Sequence, residues 1–414
     1  MEYGLIGEKL GHSYSKQIHS SFADYEYVLK EIPKDELDAF MTAHEFKAIN
    51  VTIPYKEKVI PYLDYIDKNA EEIGAVNTIV NHNGTLKGYN TDFYGMIALI
   101  KKNGIELSGK KVLILGTGGT SKTSCCVAKS LGAAQILVVS RTPKDGVITY
   151  EEAYSDHSDA DIIINTTPVG MFPKEEAAPV DLDKFPKLSG VVDAIFNPLR
   201  SNLVLAAEQK GIPACGGLYM LSAQAVYAFG HFTGSEPNES FIEKAYRDVM
   251  FGVRNIVLIG MPSAGKSTIG KALARKTGKE FVDSDNVITE RIGCTISEFF
   301  ATHGEKAFRD LETEVIKELS HTGNKIIATG GGAILRPENV QALKRSGIII
   351  MIDRSIDNLT PTADRPLLQN REMLEKLFAD RYEIYKNNAD VIIDGNRPIF
   401  DVTELAYKSA LEVM

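Results

Sequence analysis

Two apolar runs, each followed directly by a glycine-rich loop, predict much of the chain's organisation. The later run, Ile256 to Ile259, predicts a buried strand, and the residues from Thr268 to Lys276 have the composition of a helix. The earlier run, Lys111 to Leu115, precedes a glycine loop, a helix that reaches Lys129, and a second apolar strand from Gln135 to Val139. The pattern predicts two α/β regions, each built from a strand, a glycine loop and a helix.

The loop after the later strand reads GMPSAGKS, from Gly260 to Ser267, which is the residue order of a P-loop. Its glycines allow backbone N–H groups to surround phosphates, Lys266 supplies a positive charge, and Ser267 offers a hydroxyl to Mg²⁺. Because a P-loop domain begins with this strand, the residues before it must form something else.

The region after the P-loop carries further polar groups at predicted strand ends. Asp283 and Asp285 follow a short apolar stretch, and paired acids there can serve Mg²⁺ and a substrate hydroxyl. A predicted strand from Ile326 to Ala328 runs into three glycines, which permit close approach of a ligand or form a tight turn. The segment from Gly304 to Arg309 is predicted to continue an amphipathic helix.

The loop after the earlier strand reads GTGGTS, from Gly116 to Ser121, and lies in the first βαβ unit of a predicted dinucleotide-binding fold. The second strand ends at Ser140, Arg141, Thr142 and Lys144, where an NAD enzyme usually carries Asp or Glu. A hydroxyl and two cations suit a 2′-phosphate, so the sequence favours NADP(H).

The first hundred residues alternate short strand-like and helix-like segments. Lys56 follows a predicted strand that Pro54 ends, and the stretch from there to Glu72 is predicted to be helical. Taken singly, such a lysine, or an aspartate such as Asp92, is typical of an ordinary surface.

Composition narrows the class of protein. The 414 residues carry a net charge of −9 with a pI near 5.5 and no block of five like charges, which argues against nucleic acid and favours small-molecule partners. The four cysteines, Cys125, Cys126, Cys215 and Cys294, lack CxxC or zinc spacing and indicate thiols in a reducing compartment. No apolar run reaches membrane-spanning length and the start lacks a signal pattern, so we expect a cytoplasmic protein without a membrane partner.

Residues 1 to about 250 resemble shikimate dehydrogenase. The motifs that carry the resemblance are HSYS, NVTIPYK, GAVNT, NTD, GTGGTS, SRT, INTTPVGM, VVDAIFNP and GGLYMLSAQA. The resemblance implies that Lys56 and Asp92 form the catalytic pair. It implies that the substrate is held by Ser13, Ser15, Thr52, Asn77, Asp92 and Gln224. It assigns NADP to Gly116, Gly118, Gly119, Thr120, Ser121, Ser140, Arg141, Thr142, Lys144, Gly217 and Met220.

The chain departs from this family at two positions. Phe196 stands where the family usually has tyrosine, three residues after the motif aspartate Asp193, so one hydroxyl near the substrate is absent. Tyr219 replaces a frequent glycine beside the nicotinamide.

Residues 255 to 414 resemble shikimate kinase. The resemblance implies that Asp283 orients Mg²⁺ together with Ser267 and that Asp285, the candidate base, holds the substrate hydroxyls, with Lys266 also catalytic. It implies that Arg309, Arg381 and Gly330, Gly331 and Gly332 hold the substrate. It assigns ATP to Gly260, Ser263, Ala264, Gly265, Lys266, Ser267, Thr268 and Arg365. The chain departs from the family where another arginine often lines the adenine site, because residues 357 to 362 contain none.

We therefore expect an α/β protein of two enzymatic regions. Residues 1–252 form a dehydrogenase, with 1–100 and 218–252 as its substrate part and 101–217 as an inserted Rossmann-like NADP part. Residues 253–414 form a P-loop kinase, and residues 251 to 254 are a short linker.

The expected function is the reduction of 3-dehydroshikimate to shikimate with NADPH, followed by phosphorylation of shikimate with ATP and Mg²⁺. Two alternatives remain at this stage: a quinate-using dehydrogenase fused to a kinase for another small polyol, and a nucleotide-sensing protein with inactive domains. The intact Lys56, Asp92, Lys266 and Asp285 argue against the latter.

Overall fold

The computed structural model describes residues 1–11, 13–142, 144–359 and 371–412. The chain divides into two compact units, Met1–Val249 and Met250–Met414. The strands are β1 (Tyr3–Gly7), β2 (Tyr27–Glu31), β3 (Ala48–Val51), β4 (Tyr65–Ile66), β5 (Thr78–His82), β6 (Thr85–Tyr89), β7 (Lys111–Leu115), β8 (Gln135–Val139), β9 (Val147–Ile148), β10 (Ile162–Asn165), β11 (Gly190–Asp193), β12 (Ala214–Cys215), β13 (Asn255–Ile259), β14 (Glu280–Asp283), β15 (Lys325–Ala328), β16 (Gly347–Asp353) and β17 (Val391–Asp394).

The α-helices alternate with these strands along most of the chain. They are α1 (Ser15–Ser20), α2 (Leu37–Ala43), α3 (Lys68–Ile73), α4 (Thr91–Lys102), α5 (Gly119–Ser130), α6 (Tyr150–Ser155), α7 (Asn202–Gln209), α8 (Leu218–Thr233), α9 (Glu239–Val253), α10 (Lys266–Thr277), α11 (Ser284–Ile292), α12 (Ile296–His321), α13 (Pro337–Ser346), α14 (Arg371–Asn388) and α15 (Ile399–Glu412).

The first unit contains two sheets. The first sheet has the strand order β2-β1-β3-β5-β6-β4 and is mixed, because β5 runs antiparallel to both β3 and β6. The second sheet has the order β12-β11-β10-β7-β8-β9 and its strands are parallel. Renumbered from β7, this second order is the 3-2-1-4-5-6 arrangement of a dinucleotide-binding fold.

Helix α8 packs against α4 and α1 and also contacts β3 and β5. The chain therefore returns to the first sheet after completing the second one. The predicted subdivision at residues 101 and 217 is compatible with this path and stays a prediction.

The second unit contains one parallel sheet with the strand order β14-β15-β13-β16-β17. The strand that precedes the P-loop, β13, lies at its centre, and all five of its residues are buried. The three central strands are almost wholly apolar because helices cover both faces of a parallel sheet. Among the described helices of the protein, none is long and apolar enough to cross a membrane.

The predicted helix between Lys56 and Glu72 is wrong over most of its length. The chain there forms a 3₁₀ turn at Ile60–Tyr62 and the short strand β4 before helix α3 begins. Pro61 lies within the 3₁₀ turn, and a proline is tolerated only in the first turn of a helix. Helix α3 begins only at Lys68 and is capped by Asp67, whose carboxylate accepts the backbone N–H of Asn69 at 3.0 Å.

The predicted linker from residue 251 to 254 is also wrong, because helix α9 continues to Val253 and only Arg254 separates it from β13. The ammonium of Lys279 explains the extension. It donates hydrogen bonds to the carbonyls of Phe251 and Arg254, the latter at 3.0 Å, and lies 4.6 Å from the centre of the Phe251 ring. A cation at the carboxyl end of a helix satisfies carbonyls that lack an intrahelical partner.

Helix α12 is interrupted at Gly304, which has a φ of 81° and a ψ of 168°. The sequence prediction of a continuous helix through this residue is wrong at that position. Only glycine adopts this conformation readily, and it redirects the helix before Arg309.

We expect Gly217→Ala to destabilise the first unit. A Cβ on Gly217 would lie 2.2 Å from the carbonyl oxygen of Ala194, so backbone must move, at a cost of about 1–3 kcal/mol. Calorimetry without nucleotide should show a lower Tm. The matched control is Gly119→Ala, because a Cβ there meets no atom within 4 Å. Equal Tm values for the two variants would show that the contact between Gly217 and Ala194 does not limit stability, contrary to this prediction.

Candidate active sites

The first unit contains a cavity of about 360 Å³ at the carboxyl end of β3. Its lining includes every residue that the sequence assigned to catalysis and substrate in this half, namely Ser13, Ser15, Thr52, Lys56, Asn77, Asp92 and Gln224. These residues come from the loop after β1, the end of β3, the start of β5, helix α4 and helix α8.

Lys56 and Asp92 form an ion pair in this cavity, with Nζ and Oδ2 2.5 Å apart. The backbone on both sides of Lys56 is fixed, because its carbonyl accepts the N–H of Val76 at 2.8 Å and the neighbouring Tyr55 is fully buried. Asp92 lies in the first turn of α4, where the helix dipole favours a carboxylate. The pair therefore holds an ammonium group at a defined place in the cavity.

A buried hydrogen-bond network orients the amides of the cavity. The Oδ1 atom of Asn77 accepts the backbone N–H of Thr91 at 2.7 Å and its hydroxyl at 3.2 Å. The same hydroxyl lies 3.4 Å from Oε1 of Gln224, whose Nε2 donates to the carbonyl of Leu221 at 2.9 Å. Asn77 and Gln224 are thus held by backbone and side-chain partners before any ligand binds.

Tyr14 is a lining residue that the sequence reasoning did not assign. Its ring packs edge-on against Phe196 with centroids 5.7 Å apart, and both residues line the cavity. Burial raises the pKa of the Tyr14 phenol, which keeps the hydroxyl protonated as a donor. The sequence shows Tyr14 between the two serines of the HSYS motif, but it does not indicate that the Tyr14 side chain points into the cavity.

Tyr219 does not line this cavity. Its hydroxyl donates to Glu243 at 2.9 Å, and its ring packs against Tyr246 with centroids 5.2 Å apart. Met220 is also buried. Its carbonyl oxygen packs closely against Gly95 of α4, since a Cβ on Gly95 would lie 2.7 Å from it. The Tyr219 side chain is therefore accommodated among helices α4, α8 and α9.

The glycine loop after β7 has the shape of a phosphate cradle. Gly116 has a φ of 106°, and a Cβ there would lie 2.9 Å from Oγ1 of Thr166. Gly118 and Gly119 face open space at the start of α5, so backbone N–H groups remain accessible to an anion. Thr120 and the buried Ser121 continue the helix.

The residues after β8 form the far end of this candidate cofactor site. The hydroxyl oxygen of Ser140 accepts the backbone N–H of Thr142 at 3.2 Å. Arg141, Thr142 and Lys144 are exposed, so their polar groups face solvent. Gly217 begins α8 in close contact with Ala194.

In the second unit the P-loop backbone has positive φ values at three residues, and two of these residues are glycines. Gly260 and Gly265 have φ values of 140° and 93°, and Ser263 has a φ of 65°. The Nζ atom of Lys266 donates to the carbonyls of Gly260 at 2.9 Å and Met261 at 3.1 Å. A cavity of about 270 Å³ borders this loop and is lined by Ser263, Gly265, Lys266, Ser267, Thr268, Asp283, Asp285 and Thr329. Ala264 of the same loop is buried.

Ser267 and Asp283 meet at the edge of this cavity. The serine hydroxyl donates to Oδ2 of Asp283 at 2.6 Å, and Oδ1 of Asp283 accepts the backbone N–H of Asp285 at 3.1 Å. A hydroxyl and a carboxylate fit Mg²⁺, which keeps several waters and takes few protein ligands.

A larger cavity of about 750 Å³ adjoins the cavity beside the P-loop, and Asp285 lines both of them. Its polar lining contains the other residues assigned to the kinase substrate, Arg309, Gly330, Gly331, Gly332 and Arg381. Asp285 therefore faces both the cavity beside the P-loop and the larger cavity next to it. Arg365 lies outside the described residues.

Glu312 is a second residue that the sequence reasoning missed. Its carboxylate accepts a hydrogen bond from Nη1 of Arg309 at 2.7 Å, and its side chain is 1% exposed. Burial raises the pKa of Glu312, and the Arg309 guanidinium opposes that rise. The spacing of three residues on one helix could have indicated this pair.

The glycine loop after β15 is held by hydrogen bonds at its first two residues and is closely packed at its third. Ser284 accepts the N–H of Gly330 at 2.9 Å, and a Cβ on Gly332 would collide with the guanidinium of Arg309. The carbonyl of Gly331 accepts two hydrogen bonds, from Nη1 of Arg381 at 2.8 Å and from the hydroxyl of Tyr385 at 2.6 Å.

These sites define a class of protein: an α/β enzyme that joins a dinucleotide-dependent reductase to a P-loop phosphotransferase. Comparison with known proteins identifies both parts. A family model described as the shikimate dehydrogenase substrate binding domain matches residues 5–79, and one described as shikimate kinase matches residues 262–407.

Relatives of the first part are similar over nearly their whole length. An NADP(+) shikimate dehydrogenase of Methanosphaera stadtmanae is 37% identical, with 58% of this chain and 94% of the relative covered. One from Halothermothrix orenii is 40% identical, with 58% and 93% covered. A crystal structure of shikimate dehydrogenase 1 from Peptoclostridium difficile is 35% identical, covers 60% of this chain and 98% of its own, and has a TM-score of 0.55.

A solved chorismate mutase/shikimate 5-dehydrogenase fusion protein from Clostridium acetobutylicum is also similar, at 35% identity and a TM-score of 0.57 over 60% of this chain and 96% of its own. The chain belongs to the shikimate dehydrogenase family and carries a shikimate kinase domain after it.

We expect Tyr385→Phe to weaken binding of the phosphoryl acceptor. The change removes one of the two donors to the Gly331 carbonyl and so loosens the glycine loop that lines the larger cavity. One hydrogen bond contributes about 0.5–1.5 kcal/mol, which corresponds to an increase in the acceptor KM of about 2- to 10-fold. The KM for ATP should stay constant. Steady-state kinetics on Tyr382→Phe provides the control, because that hydroxyl donates to Asp353 at 3.1 Å instead. An unchanged acceptor KM in Tyr385→Phe would refute this role.

Proposed function

We propose that residues 1–252 reduce 3-dehydroshikimate to shikimate with NADPH and that residues 253–414 phosphorylate shikimate with ATP and Mg²⁺. The observation that carries the proposal is the Lys56–Asp92 pair, 2.5 Å apart, in a cavity lined by hydroxyls and amides. In the second unit, the position of Asp285 at both cavities supports the corresponding proposal. The product of the first reaction is the substrate of the second.

In the reductase, NADPH supplies the hydride when it is bound. We propose that the ammonium of Lys56 donates a proton or a strong hydrogen bond to the oxygen of the ketone as it becomes an alkoxide. Asp92 holds that ammonium and accepts a substrate hydroxyl. We propose that Ser13 and Ser15 bind the substrate carboxylate and that Thr52, Asn77 and Gln224 bind its ring hydroxyls.

The candidate cofactor site fits NADP(H) in two respects. The open space beside Gly118 and Gly119 leaves room for a pyrophosphate at the helix start. The exposed Arg141 and Lys144 provide cations for a 2′-phosphate.

In the kinase, positioning and charge neutralisation are the main contributions that phosphoryl transfer needs. We propose that the P-loop N–H groups and Lys266 hold the phosphates and that Ser267 and Asp283 hold Mg²⁺. We propose that Asp285 accepts the proton of the attacking hydroxyl. Arg309 and Arg381 bind the acceptor carboxylate beside the glycine loop.

We further propose that the protein works in the cytoplasm on small molecules. Its cysteines, Cys125, Cys126, Cys215 and Cys294, are free thiols, which suits a reducing compartment.

One coupled assay tests the whole proposal. Purified protein is given shikimate or quinate with NADP⁺, or shikimate with MgATP, and NADPH and ADP are measured. Both products should form. Preference for quinate in the first assay would favour the alternative dehydrogenase, and the absence of both products would favour a nucleotide-sensing protein.

We expect Lys56→Ala to lower the dehydrogenase kcat by at least about 10²-fold, which is the range of general acid catalysis. Shikimate phosphorylation should be unchanged. The matched control is Lys58→Ala, because Lys58 is an exposed lysine two residues further along. Dehydrogenase turnover near wild type in Lys56→Ala would overturn the assignment.

We expect the wild-type dehydrogenase to prefer NADP⁺ over NAD⁺ and Arg141→Ala to erode that preference. Because the guanidinium would contact only the 2′-phosphate, the KM for NADP⁺ should rise while the KM for NAD⁺ stays constant. NAD⁺ is therefore the internal control. Equal wild-type efficiency with both cofactors would contradict the interpretation.

A further inference from the structure

Arg354 lies beside the P-loop and has no place in the function described so far. It follows directly on β16, whose partner strand β13 leads into the P-loop. The two strands are in close contact at this edge, since a Cβ on Gly260 would lie 2.7 Å from the carbonyl oxygen of Ile352. The Nη1 atom of Arg354 lies 4.0 Å from the position of a Cβ on Gly265.

The guanidinium of Arg354 makes no hydrogen bond or ion pair within the part of the chain that the structure describes. Its Nε atom is buried and has no hydrogen-bond partner. Other arginines of this unit are paired with carboxylates, for example Arg336 with Asp310 at 2.7 Å and Arg397 with Asp394 at 3.1 Å. An unpaired buried donor costs free energy, and an anion beside it would recover that cost.

The P-loop is the place where such an anion binds. Its backbone N–H groups and the start of α10 attract phosphates, and Lys266 supplies one cation that now contacts loop carbonyls. A triphosphate carries several negative charges. A guanidinium adds a planar donor pair that matches phosphate oxygens.

We propose that Arg354 binds the phosphate chain of the nucleotide at the P-loop, from the side of Gly265. This inference rests on the proposed function only in so far as the second unit uses a nucleoside triphosphate. Arg354 would be a phosphate-binding cation that none of the sequence motifs indicated. Its contact is with phosphate oxygens rather than with the base.

The test compares Arg354→Gln with wild type in the full-length protein by isothermal titration calorimetry. The probes are MgADP and magnesium pyrophosphate, with saturating NADP⁺ present to occupy the dinucleotide site. A lost charged hydrogen bond should raise the Kd for both probes by about 10-fold or more. Arg354→Lys should recover part of the affinity.

Arg397→Gln is the matched control, because it removes a positive charge that follows the neighbouring strand β17 and is already paired with Asp394. Its Kd values should equal those of wild type. Equal losses in Arg354→Gln and Arg397→Gln, or wild-type affinity for both probes in Arg354→Gln, would overturn the proposal. A loss for MgADP alone would also overturn it, by indicating contact with the base or ribose.

Thermal unfolding of each variant separates a binding effect from misfolding. If Arg354→Gln unfolds early, the comparison is made with Arg354→Lys, which should still bind both probes more weakly than wild type. If wild type binds MgADP with this dependence on Arg354 but does not phosphorylate shikimate, the proposed kinase function fails and the phosphate contact stands.

Discussion

The carboxyl ends of parallel strands determine where the chemistry of this protein lies. In such a sheet the loops that follow neighbouring strands emerge at one edge, so residues distant in sequence meet there. Lys56 follows β3, Gly116 follows β7, and the P-loop follows β13. Each candidate site depends on sheet register, because a strand displaced along its neighbour would separate the groups that its loop must bring together.

The sequence was most informative where local pattern and chemistry coincide. The P-loop is one such place, because the strand, the glycines and Lys266 are contiguous. Lys56 and Asp92 are different: they are distant in the chain, and only the family resemblance paired them before the structure placed them 2.5 Å apart. Helix ends were poorly predicted where contacts with residues distant in sequence determine them. The last turn of α9 is an example, because Lys279 binds carbonyls there while the sequence predicted a linker.

The residues that sequence reasoning missed share a physical property. Tyr385 donates a hydrogen bond to a backbone carbonyl and Arg354 lies beside the P-loop, and neither residue belongs to a sequence motif. Tyr14 shows the same limit at short range, because its neighbours were predicted to bind substrate while the direction of its ring depends on Phe196. Such positions are defined by packing between elements, which one-dimensional patterns do not contain.

Asp285 is shared by two adjoining cavities, and this has a consequence for inhibitor design. A phosphate mimic in the P-loop cavity and a ring in the larger cavity would lie on either side of Asp285, so a short linker should suffice to join them. Such a bisubstrate compound avoids most of the entropic cost of binding two fragments separately. It would also be selective, because enzymes that share only the P-loop would bind just one half of it.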